Sequence, residues 1–401
     1  MTCSAGQAEP NESPILLAAI ALAPKIRAVA NEIERSRQLP RSIVDGLKDA
    51  GVFGMAMPRA WDGPELDPLT QARVLETLAM ADGSVGWCAM INCDGGYVTA
   101  FLDDEVGRRM YPNLQLATAG AISPTGRAVR VAGGYRVSGR FPFVSGCQHS
   151  EWAWLGCVVF ANGAPVLDVN GVPETRQCLT RLSQCEILDT WYTTGLRGTG
   201  SHDLVVRDVL VEVENTFSFQ DDNLIRRPGA LYAFPFMFVA KVGPVALGIA
   251  RHSVDTLIET ATSKAARRYT VGVHLEPAKM MCDDVFIQQA VGHAETMITS
   301  ARSYLFEVMS DFWSTLVAGR PPSATQVAHF TTMPAFVIGM CVEVVQLVFK
   351  AAGGTAVYQN GQLERCLRDV LTMNQHVAGT PRTYERAGRL LLGMEPLRLW
   401  V

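Results

Sequence analysis

His376 is the side chain in this sequence that is best suited to move a proton at neutral pH. It lies within residues 367–393, where the pattern predicts a helix, a break at Gly379-Thr380-Pro381 and a second helix. Gly commonly ends helices, and Pro is tolerated in the first turn of the next one. An imidazole has an ordinary pKa of about 6.5. We therefore expect His376 to be an acid or a base beside a cavity, or alternatively a cationic cap of the first helix.

Three polar or aromatic side chains in a predicted apolar helix over residues 86–101 are candidates to line the same cavity: Trp87, Asn92 and Tyr97. Aromatic residues in such helices usually pack in the core, so ordinary packing is the alternative for Trp87 and Tyr97. Asn92 differs from them because a buried amide needs hydrogen-bond partners.

Composition restricts the classes of function. The 401 residues carry 35 Lys and Arg against 39 Asp and Glu, a net charge of −4 without a basic stripe, so we expect no nucleic-acid partner. The ten cysteines include no CxxC pair, which is typical of a reduced, cytoplasmic protein. The seven histidines show no HxxxH spacing, so we expect no metal site.

Neither a signal peptide nor a membrane span is expected. The N-terminus is short and polar, without a basic segment followed by an apolar one. The apolar run over residues 333–348 is interrupted by Glu343 and Gln346, and it is shorter than the roughly 20 residues that cross a bilayer.

The order of predicted elements divides the chain into three parts. Residues 1–117 are predicted to be a helical domain, with the 3.6-residue apolar period clearest over 14–37, 41–50 and 68–80. Residues 118–225 are predicted to be a β domain, because period-2 patterns meet at the turns Gly133-Gly134 and Asn162-Gly163. Residues 226–401 are predicted to be a bundle of helices over 235–268, 278–318, 324–352 and 360–376, followed by 382–393.

Two long segments resemble signatures of the acyl-CoA dehydrogenase superfold. Residues 191–212 read WYTTGLRGTGSHDLVVRDVLVE and resemble its central strand, while residues 351–369 read AAGGTAVYQNGQLERCLRD and resemble its C-terminal bundle. The resemblance implies an α+β, mainly α, fold with an N-terminal helical domain, a middle β-barrel or sandwich domain and a C-terminal four-helix bundle. Fold alone does not imply function.

One departure separates this sequence from many of the dehydrogenases. Their catalytic Glu follows the Arg-Asp pair at a position that corresponds here to Val377, and a valine cannot abstract a proton. General-base catalysis contributes about 10²–10⁴ in rate. Because some dehydrogenases carry the base on another helix, a dehydrogenase with a relocated base stays an alternative.

Other segments resemble the two-component flavin-dependent monooxygenases of the same superfold, particularly the oxygenase components that hydroxylate 4-hydroxyphenylacetate or secosteroid phenols. The matching segments are Asn374-Gln375-His376, TPRTYERAG at 380–388, GGYRVSGRFPFVSGCQHSEW at 133–152 and Ser84-Val85-Gly86-Trp87. The resemblance implies that reduced flavin reacts with O₂ to give a C4a-hydroperoxide, which oxygenates an aromatic, phenolic or polycyclic substrate. Amine N-hydroxylation is the alternative within the family, and a helical scaffold without flavin is the non-enzymatic one.

The resemblance also implies roles for individual residues. The Ser145 hydroxyl would meet flavin N5, or Ser145 is merely a turn residue before Gly146. His376 would deprotonate a phenol or help to protonate the peroxide. The residues that would contact the flavin are Phe143, Ser145, Gly146, Trp191, Arg197, Thr199, Ser201 and either Arg267 or Arg268.

Some of these residues have plainer alternatives. Gly198-Thr199-Gly200 can be a simple turn rather than a loop whose N–H groups approach an anion. Arg267 and Arg268 can be exposed cations at a helix end, His149 and His202 are weaker candidates with surface or supporting roles, and Asp369 is expected to be a structural partner rather than a base.

No G-x-G-x-x-G segment leads from a predicted strand into a helix, so the sequence lacks a nicotinamide-binding fingerprint. We therefore expect a separate NAD(P)H:flavin reductase to supply reduced FMN or FAD, with O₂ as co-substrate. The sequence does not discriminate between the two flavins. We expect a homotetramer, because the bundle is very apolar for a monomer surface.

Overall fold

The computed structural model describes residues 13–221, 223–266, 279–359 and 361–394. The first part is helical, and its helices follow the apolar period of the sequence. Their bounds are α1 Pro14–Ser36, α2 Arg41–Asp49, α3 Pro68–Ala81, α4 Gly83–Asn92, α5 Gly95–Thr99 and α6 Asp104–Met110. The predictions over 14–37, 41–50 and 68–80 are confirmed within one residue.

The single helix predicted over residues 86–101 is wrong, because two helices occupy that range. α4 begins earlier, at Gly83, where the Asp82 carboxylate accepts hydrogen bonds from the backbone N–H groups of Ser84 and Val85. α4 ends at Asn92, and α5 starts at Gly95. A Cβ on Gly96 would lie 2.0 Å from the backbone oxygen of Ala56, so a neighbouring loop crosses the chain at the break.

The middle part is a mixed eight-stranded sheet. The strands are β1 Thr118–Val131, β2 Gly134–Val144, β3 Trp152–Ala161, β4 Ala164–Pro165, β5 Thr175–Arg181, β6 Glu186–Leu188, β7 His202–Glu212 and β8 Thr216–Phe217. Their order is β6-β7-β2-β1-β3-β5-β8, with β4 paired to β3. The β1–β3 pair is parallel and the others are antiparallel.

Both predicted hairpin turns are present. The Gly133-Gly134 turn joins β1 to β2, with Ala128 opposite Val137. At the second turn Asn162 and Gly163 both have positive φ, 51° and 84°, which is the backbone that the right-handed twist of a two-residue hairpin requires. The first turn sets the register of β2 against β1, and the second sets that of β4 against β3.

The last part is a helical bundle. Its helices are α7 Val242–Ser263, α8 Val285–Val317, α9 Ala324–Ala352, α10 Gln362–Met373 and α11 Arg382–Leu391. α9 contacts each of the other four, and α7 also packs against α3. One hydrophobic core therefore continues from the N-terminal helices into the bundle, while the sheet encloses a second, smaller core.

Two helical stretches of the described chain, Pro14–Ser36 and Ala324–Thr355, are long and apolar enough to cross a membrane on length and composition alone. Within them, 28% and 44% of the most apolar window is buried inside the structure. Core helices of soluble proteins pass the same test, so these helices are weak support for a membrane location.

Candidate active site

A cavity of about 1100 Å³ lies where α4, the end of β2, the loop before β7 and the segment after α10 meet. Part of its wall is polar and includes Ser145, Thr199 and Ser201. Another part is aromatic, where Phe234, Phe236, Phe238 and Phe330 lie close together. The seven candidates that the structure brings together in this wall are Trp87, Phe143, Ser145, Trp191, Thr199, Ser201 and His376.

A chain of hydrogen bonds, here called the hydroxyl relay, links Trp87, Ser145, Ser201 and Thr199. Trp87 Nε1 donates to Ser145 Oγ at 3.0 Å. Ser145 Oγ lies 2.7 Å from Ser201 Oγ, which lies 2.6 Å from Thr199 Oγ1. Thr199 Oγ1 in turn donates to the backbone oxygen of Leu196 at 2.8 Å. The relay thus ties α4 to the loop before β7 through the end of β2.

The ends of the relay determine its direction. An indole N–H can only donate and a carbonyl oxygen can only accept. Because Thr199 donates to the Leu196 carbonyl, its oxygen accepts from Ser201. Ser201 must then accept from Ser145. The Ser145 hydroxyl hydrogen is therefore used inside the protein, and toward the cavity Ser145 offers an acceptor lone pair.

Asn92 does not line the cavity, which corrects the expected substrate contact. Its side chain is fully buried, and Nδ2 lies 3.2–3.3 Å from the backbone oxygens of Thr118 and Ser145 and from Ser150 Oγ. Its Oδ1 lies 2.9 Å from His149 Nε2. Burial lowers the pKa of His149 to about 4, so this ring is neutral and donates through Nε2. Asn92 therefore positions Ser145 from behind.

The turn that carries Ser145 uses two unusual backbone conformations. Phe143 has φ +62°, which is rare for a residue with a side chain, and its ring is 70% exposed along the cavity wall. Gly146 has φ +68°, and a Cβ there would lie 2.2 Å from Asn92 Oδ1. Gly146 therefore shapes the turn but is not among the cavity-lining residues.

His376 follows α10 and begins a short 3₁₀ turn, Val377–Gly379. Its Nδ1 accepts a hydrogen bond from the Ala378 N–H at 3.3 Å, and its ring stands edge-on to Trp87 at 5.2 Å. Burial lowers the pKa of His376 to about 4, so it does not cap α10 as a cation. A neutral ring that accepts at Nδ1 carries its proton on Nε2.

The loop before β7 is fixed by buried polar contacts. Leu196 N donates to Asp369 Oδ1 at 2.6 Å, and Gly198 N donates to Ser84 Oγ at 3.1 Å. These two N–H groups are therefore not available to an anion, contrary to the expectation for this loop. Burial, reinforced by the nearby Asp82, raises the pKa of Asp369 to about 8. Its structural role agrees with the sequence interpretation.

Trp191 holds the same loop from the other side. Its Nε1 donates to the Leu196 carbonyl at 3.0 Å, and its ring stands edge-on to Phe143, with centroids 6.1 Å apart. The backbone N–H groups of Thr190 and Trp191 donate to His202 Nδ1 at 3.2 Å, so His202 supports the loop.

Two further candidates lie away from the cavity, and two cannot be placed. Tyr97 is buried in the core, and its hydroxyl donates to Gln71 Oε1 at 3.0 Å. Arg197 Nε lies 3.7 Å from Glu34 Oε1, outside the cavity wall. Neither contact is visible in the local pattern, because the partners are 26 and 163 residues distant in sequence. Arg267 and Arg268 lie outside the described residues.

The sequence interpretation missed the aromatic part of the cavity. Three phenylalanines, Phe234, Phe236 and Phe238, lie at every second position where the sequence predicts the start of a helix. The structure has no α-helix there before Val242, and Met237–Lys241 form a 3₁₀ turn. Turns and bends occupy residues 231–236, so the close spacing of the three phenylalanines was the available signal for an aromatic surface but not for an element.

Comparisons with known proteins agree with this geometry. Residues 18–115 match the acyl-CoA dehydrogenase N-terminal domain family, and residues 240–381 match the acyl-CoA dehydrogenase C-terminal domain family. An indole-3-acetate monooxygenase of Acinetobacter baumannii is 28% identical over 371 residues, which cover 92% of each chain. A flavin-dependent monooxygenase, oxygenase subunit HsaA, of Mycobacterium tuberculosis is 29% identical over 394 residues, 95% of this chain and 96% of that one.

The crystal structure of the HsaA monooxygenase from Mycobacterium tuberculosis has the same architecture. It matches with a TM-score of 0.86 at 27% identity, and the match covers 97% of this chain and 99% of that chain. The predicted fold class is therefore confirmed.

We predict that Gly146→Ala destabilises the protein by about 2–4 kcal/mol, since it combines backbone strain with an overlap on Asn92. Gly163→Ala is the matched control, because its φ is +84° but nothing lies within 4 Å of the new Cβ. The control should lose only the roughly 1–2 kcal/mol of left-handed strain. Urea unfolding of both variants measures the difference, and equal losses would contradict the positioning role of Asn92.

Proposed function

The chain belongs to the flavin-dependent monooxygenases of the acyl-CoA dehydrogenase superfamily, and on this premise we propose that its cavity hydroxylates a small aromatic substrate. The proposal rests mainly on the meeting of the hydroxyl relay and a neutral His376 in one wall. Among the described residues the single carboxylate in that wall is Asp94, which is paired with Lys241. Many dehydrogenases carry their catalytic Glu at the position that is Val377 here, so the absence of a base at that position disfavours the dehydrogenase alternative.

Several features of the cavity fit a reduced flavin. Phe143 and Trp191 present aromatic surface in the wall, which suits a planar ring system. Ser145 offers an acceptor and no free hydrogen. The N5 of a reduced isoalloxazine carries a hydrogen, whereas the oxidised form has an acceptor there. The direction of the hydroxyl relay therefore favours the reduced form.

When bound, the reduced flavin activates O₂ and supplies the transferred oxygen. The protein orients the reactants, excludes water and holds protons. His376 carries its proton on Nε2, while Nδ1 is occupied by the Ala378 N–H. We therefore expect it to donate to the oxygen that is transferred or to the substrate oxygen. For His376 to deprotonate a phenol, Nδ1 would first have to give up its hydrogen bond from the Ala378 N–H.

The electrons that reduce the flavin would come from another protein, and both proteins would be cytoplasmic. Reduced FMN or FAD would come from a separate NAD(P)H:flavin reductase, because the sequence lacks a nicotinamide-binding fingerprint. The HsaA relative is named an oxygenase subunit, which supports a two-component enzyme with a separate reductase. A cytoplasmic location agrees with the cysteines, none of which is paired among the described residues.

Assembly is a further part of the proposal. Large apolar side chains are exposed along the C-terminal region, including Tyr358, Leu391 and Leu392, which are 71%, 55% and 78% exposed. Exposed apolar surface of this kind is typical of subunit contacts. We expect a homotetramer in which this region is covered.

The function is tested by supplying chemically reduced FMN or FAD, O₂ and a panel of phenols, polycyclic aromatics and amines. We expect a hydroxylated aromatic carbon, identified by mass spectrometry and NMR. His376→Ala should lower product per O₂ consumed by about 10²-fold, the lower end for a lost acid–base group. His293→Ala, in the exposed surface of α8, is the control.

The outcomes of this assay separate the alternatives. An oxygenated nitrogen would replace aromatic hydroxylation with amine N-hydroxylation. Reduction of bound FAD by an acyl-CoA, without any reductase, would instead indicate a dehydrogenase. If His376→Ala forms as much product per O₂ consumed as the wild-type protein, His376 does not have the role assigned to it.

The hydroxyl relay is tested by Ser201→Ala, which frees the Ser145 hydrogen to point into the cavity. The preference for reduced over oxidised flavin should fall about tenfold, as for one hydrogen bond of about 1.4 kcal/mol. Thr331→Val is the control, because its hydroxyl bonds the Val327 carbonyl elsewhere in the cavity wall. Anaerobic titration gives both dissociation constants, and an equal change in the two would refute the proposed direction.

Assembly is tested by sedimentation velocity. The chain mass is 43.6 kDa, and a homotetramer should sediment with four times that mass. Leu391→Glu together with Leu392→Glu should shift the protein toward smaller species. Val169→Glu is the control, because Val169 is fully exposed in the sheet region. A wild-type protein of monomer mass at micromolar concentration would contradict the expectation.

A further inference from the structure

Asp94 is a buried carboxylate in the cavity wall that the proposed chemistry does not use. It lies in the turn between α4 and α5, is 4% exposed, and lines the cavity beside Met90, Ile91 and Val242. Its Oδ1 accepts a hydrogen bond from Lys241 Nζ at 2.5 Å. An isolated charge among such apolar neighbours would be unfavourable, so the pairing accounts for its presence.

The ammonium of Lys241 is fully occupied. Its three hydrogens are matched by the Met90 carbonyl at 2.8 Å, Cys93 Sγ at 3.0 Å and Asp94 Oδ1. Its charge also faces the Tyr97 ring at 5.0 Å. Burial alone would lower the pKa of Lys241, but Asp94 raises it above its ordinary value. Lys241 therefore stays charged and keeps no hydrogen for a ligand.

The second oxygen of Asp94 is different. Within the described part of the chain, Lys241 supplies the hydrogen bond to Oδ1, and Oδ2 receives none. Oδ2 is not among the buried side-chain atoms that lack a partner, so it is accessible from the cavity. A hydrogen-bond donor on a ligand could bind there, whereas a ligand anion would be repelled by the carboxylate.

We propose that Asp94 anchors the substrate by accepting a hydrogen bond from an O–H or N–H group on a neutral, otherwise apolar aromatic molecule. The inference rests on the proposed function, because it concerns the same cavity. It narrows the substrate to aromatic hydrogen-bond donors, such as phenols, naphthols or indoles. Burial raises the pKa of Asp94 above its ordinary value and Lys241 opposes that shift, so Lys241 has a supporting role and does not compete for the ligand.

The test compares ligands that differ only in the donor. 2-Naphthol and indole should bind the wild-type protein about tenfold or more tightly than 2-methoxynaphthalene and 1-methylindole, as for one hydrogen bond to a charged group. 2-Naphthoate should bind less tightly than 2-naphthol. Isothermal titration calorimetry without flavin or O₂ measures these affinities. Equal affinity for donor and methylated ligands in the wild-type protein overturns the proposal.

A double variant locates the preference. Asp94→Leu together with Lys241→Met replaces the ion pair with apolar residues of similar volume, which buried sites often tolerate. It should bind 2-naphthol and 2-methoxynaphthalene equally well, while Thr331→Val keeps the wild-type preference. A preference that survives in a folded double variant assigns the donor contact to another group and overturns the proposal. If the double variant does not fold, Asp94→Asn replaces it; the donor preference should then fall, because the acceptor is no longer charged, and an unchanged preference overturns the proposal.

Failure of this inference is distinguishable from failure of the proposed function. The binding experiment involves no oxygen transfer, so a protein that hydroxylates aromatic molecules without any donor preference would contradict only the role of Asp94. A protein that shows the preference but oxygenates nothing would contradict only the proposed function.

Discussion

The buried amide of Asn92 is the interaction on which the geometry of the cavity depends. It joins the end of α4 to the Thr118 carbonyl at the start of β1 and to the Ser145 carbonyl just after the end of β2. His149 orients the amide through its Oδ1. Buried polar groups of this kind are unfavourable unless every one is bonded, so a satisfied network specifies one arrangement. Ser145 is thereby held where Trp87 and Ser201 reach its hydroxyl. The network therefore fixes the position of α4 relative to β1 and to the turn that follows β2.

Burial also determines the charge state of the cavity. His376 is neutral because charging it would require desolvation, and Asp369 is shifted toward its neutral form for the same reason. Asp94 is compensated by Lys241. Around His376 and Asp94 the cavity therefore offers directed hydrogen bonds, while Arg382 and Arg386 also line it. Such a wall suits chemistry in which a cofactor carries the reactive electrons and the protein orients donors and acceptors.

Local patterns in the sequence predicted most elements of the fold, and long-range contacts account for the differences. The 3.6-residue period located α1 to α3, and Asn162-Gly163 located a hairpin, because both are consequences of neighbouring residues. The split between α4 and α5 was missed; the close approach of the Ala56 backbone to Gly96, in the first turn of α5, joins residues that are 40 positions apart. His376 was predicted from its place at the end of a helix and Ser145 through a resemblance, whereas the relay that orients Ser145 depends on Thr199 and Ser201, which only folding brings near.

The two recognition features of the cavity are related through α4. Trp87 Nε1 donates to Ser145 Oγ from the middle of this helix, and Asp94 lies seven residues later, just beyond its end. At a rise of 1.5 Å per residue, seven residues span about 10 Å. If Asp94 anchors the donor and Ser145 orients the flavin, α4 sets the distance between the bound donor group and the flavin, because both residues are held by this helix or its end; Phe234, Phe236 and Phe238 line the same cavity.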